Sequence, residues 1–331
     1  GKPWEAFGMQ KGRKGIKALL QEAGRYPMNS YIDFDYSDEF MAKHGLDKSL
    51  KDYHYANFDG MPEDDDLNYT VIGLDIVKTY GHNFTSIDVA NRWMTQLPVL
   101  HTFTAERVAY RNFLNLISPP ESGFYRNPYR EWIGAQIRAD FWGYVNPGNP
   151  ELAAEYAYRD ACISHTKNGI YGEMFVAAAI AAAFVVDSIE EVIEAGLGQI
   201  PANCRLAVAI RDLLNFAKQE TDFEKGLDFI WEKYGNYNPV HTINNALIVV
   251  AGLIYGQKDF SKTISIAVMG GWDTDCNGAT AGSILGALLG GKALPKKWTD
   301  PINNTLYTGV QGYSKVKISD LATKTLELIK R

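Results

Sequence analysis

No stretch of this chain sustains an alternation of apolar and polar residues with period two, so half-buried strands have nothing to form from. Apolar residues recur instead at three- and four-residue intervals, and Gly and Pro fall where such runs should stop. The spacing predicts helices at 14–23 (Ile16, Leu19, Leu20 and Ala23, then Gly24), 67–79, 86–96 before Pro98, and 104–117 before Pro119 and Pro120. Further helices are expected at 130–142, 151–165 and 246–255, with three between 188 and 235 and a polar one at 318–330. Residues 31–59 are aromatic and acidic with weak periodicity, and read as short helices and loops. The longest apolar run, Met174 to Val186, is alanine-rich and shorter than the ~20 residues a membrane span needs, so it reads as a buried core helix. The fold class is therefore all-α, a compact orthogonal multi-helix bundle of about a dozen helices without an internal repeat. With 331 residues, 46% of them hydrophobic, the chain can bury a large core as a single domain, 1–331. The loop at 121–128, rich in Gly, Pro and Asn, is the best internal seam, but not one between independent domains.

The net charge is −6, and basic residues are scattered apart from Lys296-Lys297 and the stretch 11–17. No basic field is available to offset phosphates, which argues against general nucleic-acid binding. Three widely separated cysteines, Cys162, Cys204 and Cys276, make neither a disulfide framework nor a zinc site, and point to a reducing, cytoplasmic compartment. No signal peptide is visible. Oligomeric state is left open.

Chemistry concentrates in two acidic knots, each opening a helix. The later one is Gly270-Gly271-Trp272-Asp273-Thr274-Asp275-Cys276-Asn277-Gly278, leading a small-residue helix to about Gly290. The earlier one is Glu63-Asp64-Asp65-Asp66, before Leu67. Carboxylates at a helix start have an ordinary explanation as caps that suit the dipole. Three adjacent carboxylates, however, repel one another unless solvent, a basic side chain or a metal relieves them. On the second reading the two helix starts face one cleft and share hard divalent cations through oxygen ligands.

The motifs resemble those of the ADP-ribosylglycohydrolases, which have a Thr-Asp-Asp-Thr motif early and a Gly-Gly-Asp-Thr-Asp-Thr motif late. Here the matching residues are Asp64-Asp65-Asp66-Leu67 and Asp273-Thr274-Asp275-Cys276. The resemblance implies an all-α fold with a dinuclear metal cleft holding Mg²⁺ or Mn²⁺, two ions in all. The expected ligands are Asp64, Asp65, Asp66, Asp273, Asp275 and Cys276. It implies hydrolysis of the ribosyl C1 bond of an ADP-ribose conjugate, so the partner is a small molecule or an ADP-ribosylated substrate. Glu5, in Gly1-Lys2-Pro3-Trp4-Glu5 where the family has Gly-x-Pro-x-Glu, and Asp65 are the candidates to manage the proton of the attacking water.

Candidate substrate contacts are Arg138, His165, His241, Asn245 and Trp272. Arg138 ends a segment with fewer glycines than the family's, and pairing with a structural carboxylate such as Asp140 or Asp160 is an equal alternative. His165 is also explained by a helix C-terminus alone, and His241 and Asn245 by capping. Cys276, Asp64 and Leu67 each stand where the family has Thr. Hydrolysis of another ribosyl or furanosyl glycoside is therefore an alternative, as is a non-catalytic binding or structural role. Family members have a helix before the position where this chain begins, so its natural start is expected to be missing and export stays open.

Overall fold

The computed structural model describes residues 1–31, 35–46 and 53–329. Among them are sixteen α-helices and one two-stranded sheet of three residues per strand, β1 (Thr305–Tyr307) with β2 (Lys315–Lys317). The all-α expectation holds, with more helices than foreseen because several are a turn or two long. In the region 31–59 the structure gives α2 (Asp38–His44) and a 3₁₀ turn at Tyr55–Asn57. The expectation for 32–34 and 47–52 lies outside the described residues. The chain divides into two compact units, each drawn from separated stretches. The first comprises 1–62, 210–240 and 244–305; the second comprises 63–209, 241–243 and 306–331. The loop at 121–128 marks no division, since both its flanks belong to the second unit.

In the first unit, α1 (Glu5–Glu22) packs against α13 (Phe260–Met269) and α14 (Thr274–Leu289), which also pack on each other. Helix α1 starts nine residues before the position read from periodicity. It is broken at Gly12, whose φ is 62° and where a Cβ would stand 2.6 Å from the Trp231 ring. Trp231 lies on α11 (Phe223–Tyr234). The unit also holds α15 (Lys296–Thr299). Helices α10 (Arg205–Ala217) and α12 (Thr242–Gly256) carry residues of both units.

In the second unit α8 (Asn168–Ala183) is the central element. Its alanine-rich run is buried on every side from Phe175 to Ala183, as a helix without a polar face must be. Packed on it are α6 (Asp140–Tyr144), α7 (Pro150–Ala161) and α9 (Ile189–Leu197). Small residues permit the approach: a Cβ at Gly143 would lie 2.5 Å from Ile180. Helix α3 (Asp65–Tyr80) lies against α4 (Ser86–Gln96), α6 and the terminal α16 (Ile318–Leu328). Helix α5 (Thr104–Leu114) ends before Leu116, whose φ is 60°.

Two helices read from spacing need correction. Residues 130–142 form turns, a 3₁₀ turn at Gln136–Arg138 and only the start of α6. Trp132 is held extended by an antiparallel bridge to His241, and this tertiary pairing overrides the helical spacing. Helix α7 stops at Ala161 rather than His165. The next carbonyls are taken by side chains: Ser122 Oγ donates to Ile163 O and Asn127 Nδ2 to Ser164 O.

Candidate metal centre

The later acidic knot is built on a forced turn in the first unit. Gly271 and Trp272 both have positive φ, 81° and 56°. Glycine adopts this freely; tryptophan does so only under restraint. The restraint is visible: the Trp272 indole stacks on Trp231 with centroids 4.1 Å apart, and Trp231 Nε1 donates to Gly270 O at 2.8 Å. The turn swings the chain into α14 with Asp273 at the N-cap and Asp275 in the first turn. Asp273 makes no side-chain capping hydrogen bond. Gly8 of α1 lets that helix close over the turn, since a Cβ there would be 2.9 Å from Thr274 Cγ2 and 3.0 Å from Trp272 O.

Asn245, on α12, braces the loop from behind. Its Oδ1 accepts from the Asp273 backbone N–H at 3.2 Å and from Asn277 Nδ2 at 2.8 Å, while its Nδ2 donates to Pro239 O. The result is a pair of buried carboxylates, Asp273 4% and Asp275 8% exposed, whose Oδ1 atoms accept no hydrogen bond. Glu5, half-buried at the start of α1, joins them, and the three ligand oxygens lie within 4.8 Å of one another. Burial and the neighbouring Asp275 and Glu5 charges push the Asp273 carboxyl well above its ordinary pKa. Burial also pushes Asp275 up, but the Lys2 ammonium and the Asp273 carboxyl together outweigh it and the carboxyl ends below its ordinary value. Lys2 Nζ sits 2.8 Å from Asp275 and 2.9 Å from Glu5. An ammonium on a flexible stem is thus the positive charge that this cluster draws in.

The donor set fits a hard divalent cation. Its ligand atoms are carboxylate oxygens, two of them buried and unused by any hydrogen bond, and their spacing suits ligands at about 2.0–2.6 Å from one ion. Cys276, also buried, contributes a soft sulfur that such an ion binds poorly.

The earlier knot belongs to the second unit and is more open. Asp64 is the N-cap of α3 but makes no capping hydrogen bond. Asp65 is half-buried, Asp66 is 7% exposed, and ligand atoms of Asp64, Asp65 and Asp66 lie within 4.8 Å of one another. Glu63 is engaged separately, accepting from Asn68 Nδ2 at 2.8 Å and paired with His101 Nδ1 at 2.6 Å. Asn68 Oδ1 in turn accepts from Gly309 N–H. These bonds fix the turn that presents the three aspartates.

Arg138 and His165 come together deep in the same unit. The Arg138 guanidinium bonds Asp160 (Nε to Oδ2, 2.6 Å), Glu106 (Nη1 to Oε1, 2.9 Å) and the Gly134 carbonyl, and lies 3.6 Å from Glu173. Of the alternatives read from sequence, pairing with Asp160 is the one observed. His165 Nδ1 is 2.8 Å from Ser164 Oγ, and its Nε2 stands 3.9 Å from Glu106. Burial and the Arg138 charge depress its pKa, so the imidazole is neutral. Three carboxyls face one guanidinium, and burial together with Asp160 lifts Glu173 well above its ordinary pKa. Neither Arg138 nor His165 reaches solvent, at 2% and 1% exposure. Trp272 and Asn245 are likewise enclosed. His241 is half-buried, its pKa lowered to about 4 by burial, and accepts from the Ile243 N–H through Nδ1.

Sequence reasoning passes over Lys2, Asn277 and Glu106. Lys2 stands three residues before Glu5, and Asn277 four after Asp273, so helical geometry alone places each beside an acid. Gly134 is the one local sign of Glu106: a Cβ there would strike Glu106 Oε1.

The family profile described as ADP-ribosylglycohydrolase matches residues 27–330. Among solved structures, an ADP-ribosylglycohydrolase-related protein complex is similar with a TM-score of 0.60. That match has 16% identity and covers 97% of this chain and 99% of the other, so the likeness is one of fold. No curated protein matches the sequence. The profile spans nearly the whole chain and includes both acidic knots; the chain belongs to the ADP-ribosylglycohydrolase family, which at a coarse level points to a glycohydrolase.

Proposed function

We propose that the chain is a divalent-cation-dependent hydrolase acting on the C1 bond of the terminal ribose in an ADP-ribose conjugate. The observation that carries this reading is the buried Asp273–Asp275 pair, braced by Asn245 and without capping work of its own. Asp273, Asp275 and Glu5 would hold one ion, and Asp64, Asp65 and Asp66 offer ligand oxygens for a second. When bound, such ions supply Lewis-acid polarisation of water and order the sugar hydroxyls.

The chain's own residues do the rest. The half-exposed Glu5 carboxylate takes a proton from the water that attacks C1, with Asp65 the other candidate base. The water oxygen bonds C1 as the C1–leaving-group bond breaks, and the leaving group takes up the proton that the carboxylate removed from the water. Asn245 and the Trp272–Trp231 stack keep the Asp273 backbone in place, so the carboxylates need no reorganisation as charge develops at the ring. Arg138 acts from the interior, holding Glu106 and Asp160, with the neutral His165 packed beside Glu106. Calorimetry with ADP-ribose, with and without Mg²⁺, tests the reading. Binding that requires Mg²⁺ is expected; no binding in either state would replace ADP-ribose with another glycoside, and binding without turnover of any conjugate would make the protein a binder.

A further inference from the structure

One face of the second unit reverses the charge of the molecule. Between residues 107 and 130 there are four arginines and a single acidic residue, Glu121, in a chain whose net charge is −6. Arg107, Arg111, Arg126 and Arg130 are all exposed, and among the described residues none of them forms a salt bridge. Elsewhere Arg13, Arg92, Arg138, Arg159 and Arg205 each do.

The four are fixed in place by neutral partners. Arg107 donates to Thr102 O and lies over the Phe103 ring, and Arg111 Nη2 donates to the carbonyls of Tyr125 and Arg126. Arg126 lies over the Tyr125 ring, and Arg130 Nη1 donates to Asn127 O at 3.0 Å. Each guanidinium is thereby held with donors left over.

Apolar side chains accompany them. Phe103, Arg107, Arg111 and Leu114 follow one side of α5 at intervals of three and four residues. Phe103 is 52% exposed, Leu114 75%, Leu116 92% and Phe124 51%. Leu116 and Arg126 also hold positive φ, an unfavourable conformation for side chains that gain nothing from burial.

We propose that this face docks an acidic polypeptide segment that also carries apolar side chains. The complementary charge is an anionic oxygen pair, which a guanidinium fork matches as carboxylate or phosphate alike; the apolar side chains interleaved with these arginines select a carboxylate on a polypeptide. The apolar part is matched to side chains, because exposed aromatic residues set among arginines are enriched in protein interfaces. Exposed apolar groups beside uncompensated cations mark a surface meant to be covered.

The test reads binding alone and so stands or falls separately from the hydrolase reading. A short labelled peptide of alternating Glu and Leu or Phe is titrated with the full chain by fluorescence anisotropy. Saturable binding is expected, weakening as salt rises and falling at least ~10-fold in Arg107→Glu/Arg126→Glu. The same peptide with Gln for Glu should bind poorly. Leu116→Ser, on a fully exposed side chain, is the second variant, and melting curves confirm that each variant folds. Peptide binding indifferent to both variants, or equal for the Gln peptide, would overturn the proposal. So would stronger capture by phosphatidylserine vesicles, which would make the occupant a lipid surface, or charge-dependent self-association in sedimentation without peptide binding.

Discussion

Two buried groups of carboxylates in this molecule are solved in opposite ways. Around Arg138, the carboxyls of Glu106, Asp160 and Glu173 are answered by a guanidinium that is itself enclosed and donates to two of them. Around Asp273 and Asp275 no enclosed cation exists among the described residues; Lys2 reaches in from a half-buried position at the chain start. A permanent internal charge makes the first group part of the core. The second draws on a cation that can be exchanged, which is what a metal-binding group requires. Burial alone therefore does not distinguish scaffold from site; the source of the compensating charge does.

The largest effect is expected from removing the permanent cation. Arg138→Met leaves buried carboxylates uncompensated and should cost about 3–5 kcal/mol in urea unfolding. A loss of under about 1 kcal/mol would show that these groups are already neutral, and the contrast would weaken. Asp275→Asn should behave differently. It keeps side-chain size and removes the repulsion with Asp273 and Glu5 but gives up the Lys2 pair, so the metal-free protein should change little in stability. Its gain on adding Mg²⁺, about 2.7 kcal/mol at a hundredfold excess over Kd in the parent, should shrink, and hydrolysis should be largely lost. Lower metal-free stability with an intact Mg²⁺ response would return Asp275 to a purely structural role.

Asn245→Ala tests the brace. Leaving the Asp273 N–H and Asn277 amide without their acceptor should cost about 1–3 kcal/mol, together with weaker Mg²⁺ binding by calorimetry. Destabilisation with unchanged metal affinity would separate the brace from the site.

The smallest effect concerns pH. The folded state keeps Glu173 protonated above 4.5, where the unfolded chain releases its proton, so Glu173 lowers stability progressively as pH rises past that value. His165, with its depressed pKa, instead lowers stability as pH falls below 6.5. Glu173→Gln should therefore gain on the parent as pH rises past 4.5. Parallel stability profiles for the two proteins would show that Glu173 keeps no extra proton in the folded state.

The helical architecture was legible because it depends on spacing and on Gly and Pro stops, which are local. Where tertiary pairing competes, as at Trp132 with His241, spacing misled, and the stretch 130–142 is not a helix. The acidic knots were legible because so many like charges in a few residues need an outside cause. What they do not reveal is partnership over long sequence distances. Asn245 supports Asp273 from another helix, and Glu106 meets Arg138 across thirty-two positions. His165 and Arg138 were recognisable as special, but their enclosure depends on the packing of α7 and α8 and leaves no periodic trace.

The stacked indoles of Trp231 and Trp272 have a practical consequence. Two such chromophores with centroids 4.1 Å apart and planes inclined by 20° couple their ultraviolet transitions, and the second is bonded directly to Asp273. Their near-ultraviolet circular dichroism is therefore an intrinsic spectroscopic probe of the turn. Any ligand that pulls the Asp273 backbone will rotate one transition dipole against the other, so occupancy can be followed optically without a label.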